Sequence, residues 1–184
     1  MINMIPKINT SNIRFTTTLV TFLEMRKPPA EKLQPLEGVS FRLLARPIDV
    51  NAYREYYYGV GEKHYWLDRM IMPDEELSQK INADNIDIFL MHVNNAPAGY
   101  AEFIKNPDFT EILYFGLLPD YIGKGLGKFF LRWATEQAWS YGPKWIQLNT
   151  CQLDHPHALE NYKKNGFQEV RTEIHQRRIL IPSR

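Results

Sequence analysis

The chain has 184 residues, room for one domain with a decorated end. Hydrophobic residues at 44% and charged residues at 23% are ordinary globular values that allow a sizeable core. A net charge of +1, from 22 basic and 21 acidic residues, argues against nucleic acid or an anionic membrane as the main partner, and a single cysteine, Cys151, excludes an internal disulfide. That lone cysteine fits a reducing compartment. The first 25 residues show neither a membrane-length apolar run nor a signal-peptide layout, so a soluble, cytoplasmic protein is expected.

Phe15 to Met25, rich in Thr, Leu, Val and Phe, suits an added strand. Pro28, Pro29 and Pro35 then break the pattern before Gly38, so Arg26 to Gly38 reads as a linker. The expected division is an N-terminal extension over 1–38 and a compact domain over 39–184. "VSFRLLARP" is a first domain strand, and Ile48 to Gly59 a Tyr-rich helix. A further helix starts near Pro73, with Asp74, Glu75 and Glu76 in its first turn, where carboxylates favour the helix dipole. "IDIFLMHV" and "YAEFIK" flank the turn cluster "NNAPAG" as a β-hairpin. "EILYFGLL" is a strand ended by Pro119, and apolar residues recur at helical spacing from Leu126 to Tyr141. "WIQLNTC" is a buried strand, Pro156 opens a helix stopped by Asn165-Gly166, and "FQEVRTEIHQRRILI" closes with one or two strands. The order is mixed α+β, with antiparallel hairpins around one strand–helix–strand crossover.

The stretch "PDYIGKGLGKFF" places Gly123, Gly125 and Gly127 where a strand hands over to a helix. Uncovered amides converge at such a turn and the helix dipole adds positive character, so a phosphate fits there, with Lys124 and Lys128 adding to the field. The spacing is that of neither a P-loop nor a dinucleotide fingerprint. A glycine-rich turn chosen only for tight packing is the plain alternative.

Ile122-Gly123-Lys124-Gly125-Leu126-Gly127 resembles the [RQ]-x-x-G-x-[GA] turn of the GNAT superfamily of acyl-CoA-dependent N-acyltransferases, except at its first position. Downstream, "HPHALENYKKNGF" places His155, Ala158, Tyr162, Gly166 and Phe167 in register with that family's N-x-x-A-x-x-x-Y and Gly-Phe. The resemblance covers about residues 39 to 175. It implies a mixed, mostly antiparallel sheet that splays at a central parallel strand pair, flanked by helices. It also implies acetyl-CoA as co-substrate, no metal, and direct transfer of the acetyl group to a primary amine. The implied coenzyme contacts run over Ile122, Gly123, Lys124, Gly125, Leu126, Gly127 and Lys128, with His155 near the pantetheine arm. The backbone of Leu117 and Leu118 would bond that arm and act as oxyanion donor. Ile122 and His155 stand where the family usually has Arg or Gln and Asn. Gly116 offers a bulge that could start the splay.

A lysine-like amine of pKa about 10.4 is neutral roughly once in 2,500 molecules at pH 7, a cost of about 4.6 kcal/mol, so deprotonation is worth catalysing. Glu111 stands where some family members carry a glutamate base; a charge at a strand edge is the alternative. Tyr162 stands where the family places its general acid, and a protonated phenol can donate to the leaving sulfur; the alternative is a core tyrosine. Cys151 reads as a small buried residue, and His155 and Asp154 as caps of the helix that Pro156 opens. His64, His92, His155, His157 and His175 have no metal-ligand spacing.

In the family the first two helices and their loop build the acceptor pocket. Here Tyr65, Trp66 and Asp68 are the candidates, joined by Tyr114 on the strand face opposite Glu111. Aromatic faces and carboxylates suit a cationic amine. A small-molecule or peptide amine is therefore expected as acceptor, with a homodimer left open. A non-catalytic acyl-CoA binding or sensing module is the second reading, motivated by the altered first motif position.

Overall fold

Period-2 and period-3.6 patterns become seven strands and five α-helices in the computed structural model, which describes residues 5–181. The outermost residues of the two expected ranges, 1–4 and 182–184, lie outside the described residues. The strands are β1 (Ile13–Met25), β2 (Val39–Leu43), β3 (Ile86–Val93), β4 (Ala96–Lys105), β5 (Phe109–Leu117), β6 (Trp145–Cys151) and β7 (Gln168–Leu180). The helices are α1 (Val50–Gly61), α2 (Asp68–Ile71), α3 (Asp74–Ile81), α4 (Leu126–Ser140) and α5 (Ala158–Lys164). They form one mixed sheet in the order β2-β3-β4-β5-β6-β1-β7, antiparallel throughout except for the parallel pair β5–β6.

Local chemistry sets the boundaries. The Asp49 carboxylate caps α1 by accepting from the Ala52 N–H at 2.8 Å. Asn94 and Asn95, at φ 50° and 68°, make the tight β3–β4 turn that asparagine tolerates. Pro73 stands immediately before α3, whose first turn carries Asp74, Glu75 and Glu76.

Two apolar clusters sandwich the sheet. On one face α1 and α3 bring Tyr53, Tyr57, Leu77 and Ile81 against Ile88, Leu90 and Tyr100. On the other, the α4 stripe of Phe130, Ala134 and Ala138 packs on Phe103, Ile112, Ile146 and Leu23. Each fully buried large side chain, such as Phe130, contributes about 1.5–3 kcal/mol relative to exposure.

β1 is an interior strand. It pairs with β6 over Val20–Met25 and with β7 along its whole length, from Ile13↔Leu180 to Glu24↔Gln168. Because β6 ends at Cys151, opposite Val20, residues 13–19 and 174–180 continue as a two-stranded arm with no third strand among the described residues. The Pro-rich stretch after β1 is tied to α4, with the Leu33 N–H donating to Glu136 at 2.7 Å and Arg132 donating to the Glu31 carbonyl.

The register of β5 departs from expectation. Phe103 faces Ile112 but Glu102 faces Tyr114, so Leu113 is an extra residue and the bulge lies there rather than at Gly116. Gly116 serves packing instead, since a Cβ there would come within 2.4 Å of Val60 Cγ1 on α1. The bulge also shifts the phase of the strand. Glu111 pairs with Ile104 and Tyr114 with Glu102, two residues apart on β4, so Glu111 and Tyr114 share a face instead of opposing each other.

Candidate active site

β5 and β6 pair only over Phe109↔Trp145, Thr110↔Ile146 and Glu111↔Gln147. Beyond these rungs β5 follows β4 while β6 follows β1, so the two parallel strands part. The main chain of β5 shows which donors face the opening. Leu118 N–H donates to Ala98 O at 2.8 Å, making 98/118 a hydrogen-bonded rung. Rungs alternate in an antiparallel ladder, so at 99/117 the Leu117 N–H points away from β4 and toward β6. Leu117 therefore keeps a free donor at the opening, and the Leu118 amide is occupied.

A cavity of about 400 Å³ runs through this parting. At one end stands the glycine turn. Gly123 and Gly125 hold φ of +80° and +77°, and a Cβ added at either would meet nothing within 4 Å. Their glycine character thus serves the backbone path and leaves the surface open, which a packing-only turn would not need. Gly125 is the N-cap of α4 and offers no side chain to its first-turn amides. Ile122, Gly123, Gly127 and Lys128 line the cavity, whereas Lys124, Gly125 and Leu126 do not. The Lys124 ammonium sits 5.2 Å above the Tyr121 ring.

Midway, Tyr162 of α5 lines the cavity beside Asn161 and Asn149. Its ring meets Phe167 edge-on at 6.3 Å, so the Gly-Phe that follows α5 fixes its orientation. Burial raises the Tyr162 phenol above its ordinary value, and the Asp154 charge adds to the rise. The hydroxyl is held protonated. His155 also lines the cavity, but the capping arrangement differs from expectation: α5 begins at Ala158 with His157 as N-cap. Asp154 turns back to accept from Thr150 Oγ1 at 2.8 Å and from the Cys151 N–H at 2.9 Å. Cys151 is half-buried and lines the cavity, because β6 ends there instead of continuing into the core.

Glu111 lies at the last closed rung, outside the cavity lining. Asn149 Nδ2, whose residue does line it, donates to Glu111 Oε1 at 3.4 Å. Burial raises the Glu111 carboxyl above its ordinary 4.5, opposed by the hydrogen bond from Asn149 and the charge of Arg171.

The far end is aromatic. Tyr57, Tyr65, Trp66 and Tyr114 line it, with Trp66 and Tyr114 ring centroids 5.0 Å apart. Tyr65 takes a left-handed φ of 54° after α1. Beneath this wall is a buried polar cluster that the sequence reading missed. Arg69 Nη2 donates to Glu102 Oε1 at 3.0 Å, and Tyr53 donates to Glu102 Oε2 at 2.7 Å. Glu102 is fully buried, with Arg69 over the Tyr114 ring at 5.7 Å. Asp68, expected to meet the amine, is already paired with Arg178 of β7. The arm thereby joins the aromatic wall, and Arg177 and Arg178 both line the cavity. Only the long-range pairing of β1 with β7 could have signalled them. His64 Nδ1 lies 3.0 Å from the Leu153 carbonyl and closes the wall between α1 and α5.

Among the described residues no cluster of His, Cys, Asp and Glu could hold a metal ion, and no helix is long and apolar enough to cross a membrane. No curated protein sequence matches the chain. The fold is shared with a GCN5-related N-acetyltransferase from Sphaerobacter thermophilus: TM-score 0.61, 14% identity, covering 92% of this chain and 53% of that one. A GCN5-related N-acetyltransferase from Kribbella flavida gives TM-score 0.56 and 15% identity, over 94% of this chain and 61% of that one. An aminoglycoside acetyltransferase from an uncultured soil metagenomic sample, in complex with sisomicin, gives TM-score 0.55 and 16% identity over 69% and 86%. The chain thus spans 53% and 61% of the first two structures' lengths, and the likeness in all three is one of fold. The family model for the acetyltransferase (GNAT) family matches residues 50–167, more than half of the chain, and the chain belongs to that family.

Proposed function

We propose that the protein transfers an acetyl group from acetyl-CoA to an amine acceptor by direct transfer in a ternary complex. The observation that carries this reading is the continuous cavity through the β5–β6 parting, which joins the open glycine turn to Tyr162 and the aromatic wall. The residues fit the coenzyme. Amides from Gly123 to Lys128 would hold its pyrophosphate, Lys128 would add charge, and His155 would stand beside the pantetheine arm. When bound, acetyl-CoA supplies an acyl group activated as a thioester.

The chain's own groups divide the remaining work. Leu117 N–H, aimed into the parting, donates to the acyl oxygen where negative charge develops. Tyr162 Oη, kept protonated by burial, donates toward the departing sulfur. Complete transfer to a thiolate of pKa about 8.5 from an ordinary phenol near 10 is already uphill by roughly 2 kcal/mol, and burial of Tyr162 adds to that cost, so its role is hydrogen-bond support. Glu111, held by the donor of Asn149, takes the amine's proton through a bridging water. Burial favours this, since a raised carboxyl is a stronger base than a free one.

The test is thiol release from acetyl-CoA across a broad amine panel, beside calorimetric titration of the coenzyme. Tyr162→Phe should lower kcat more than tenfold with coenzyme affinity unchanged; an unaltered rate returns Tyr162 to a packing role. A second reading, a coenzyme sensor without turnover, is favoured by Ile122, which is 50% exposed and brings no cation to the turn. Coenzyme binding with no amine acetylated would select it.

A further inference from the structure

Two carboxylates and two guanidiniums line the cavity at the end proposed for the acceptor. Asp68 is paired with Arg178, while Asp154 keeps its charge and accepts from Thr150 and the Cys151 amide. Arg177 has no such partner. Among the described residues it makes no ion pair and no side-chain hydrogen bond, and its Nε is fully buried and unsatisfied. An unpaired guanidinium that lines a cavity costs desolvation without return unless something else completes it. Burial raises the Cys151 thiol and the Asp154 charge adds to the rise, while the Arg177 charge opposes it.

Arg177 is held where it is by the fold. It stands opposite Thr16 on the β1–β7 arm, and the neighbouring Arg178 ties that arm to α2 through Asp68. A planar guanidinium with free donors matches a carboxylate, which can take two parallel N–H bonds. The same charge repels a polycationic acceptor. Resting on the reading of the site as an amine acetyltransferase, we propose that the acceptor amine also carries a carboxylate, and that Arg177 binds that carboxylate and sets acceptor specificity.

The test uses matched pairs: phenylalanine against phenylalaninamide and phenethylamine, and lysine against cadaverine. Each is assayed by thiol release with the full chain, its Arg177→Gln and Arg177→Lys variants, and calorimetry with coenzyme A on all three. The acid-bearing member should be preferred at least tenfold in kcat/KM. Arg177→Gln should erase that preference by raising KM for the acid-bearing member, with coenzyme affinity unchanged, and Arg177→Lys should recover part of it. Equal or better turnover of the carboxyl-free member overturns the proposal, as does a preference that survives Arg177→Gln. A coenzyme-binding chain that acetylates amines but never an acid-bearing one also overturns it, while acetyl transfer stands. Failure of the wild-type chain to bind the coenzyme removes the acetyltransferase reading itself, and this proposal with it.

Discussion

The two ends of the cavity are built from different material. The coenzyme end is main chain: two left-handed glycines, uncapped amides of one helix and the Leu117 N–H, all within twelve residues of sequence. The end proposed for the acceptor is side chain, contributed by α1, the connection to α2, α2, β5 and the β1–β7 arm, with the buried Arg69–Glu102 pair of α2 and β4 beneath it. A backbone cradle is indifferent to most substitutions but depends on its dihedral angles. A side-chain wall tolerates small backbone shifts but depends on every partner in its network. The difference suits the roles proposed for the two ends, since one ligand is constant and the other sets specificity.

Three substitutions probe that contrast. The largest effect is expected at the floor of the acceptor end. Glu102→Ala leaves Arg69 buried without its counter-charge and frees the Tyr53 hydroxyl, and should destabilise the fold by about 3–5 kcal/mol. Urea unfolding followed by tryptophan fluorescence would measure this, and a loss below about 1 kcal/mol would mean the network is not a support for the wall.

At the coenzyme end the expected loss falls on binding. Gly125→Val places a β-branched residue at φ +77°, where strain costs about 1–2 kcal/mol, although its Cβ meets open space. Coenzyme Kd should rise roughly 5–30-fold by calorimetry, the same strain expressed in binding. An unchanged Kd would show that the backbone path is not what holds the ligand.

The smallest and most pH-dependent effect is expected at Glu111, between the two ends. A base must be ionised to act, and burial raises this carboxyl above 4.5, so kcat/KM should fall as pH drops through that raised value. Glu111→Gln should remove this acidic limb and lower the rate several-fold near neutral pH, with the deficit shrinking as the amine loses its own proton at high pH. A uniform loss across the pH range would assign Glu111 to holding Asn149 rather than to proton transfer.

Much of the scaffold was legible in the chain because its signals are local. The Asn94-Asn95 turn and the apolar spacing of α4 are each written in one continuous stretch of sequence, and the glycine turn declares its own backbone path, whereas the Asp49 cap moves the start of α1 to Val50 from the expected Ile48. The phase of β5 was not legible. A single extra residue at Leu113 exchanges faces, and strand alternation in the sequence carries no mark of where the exchange falls. Cys151 is half-buried where a buried residue was expected, because the strand end it occupies opens onto the cavity.

Sequence alone determined the mixed α+β order and the amide-lined turn, because hydrogen bonds between near neighbours and the dihedral freedom of glycine do not wait for the rest of the chain. Tertiary structure alone decided what faces the acceptor. Residues 13–25 pair with residues 168–180 across nearly the whole length of the polypeptide, and only that pairing carries Arg177 and Arg178 to a wall whose aromatic residues come from 57 to 114. No local periodicity encodes so distant a meeting. It is fixed by the pairing of β1 with β6 and β7 in the interior of the sheet, which carries residues 177 and 178 to the cavity.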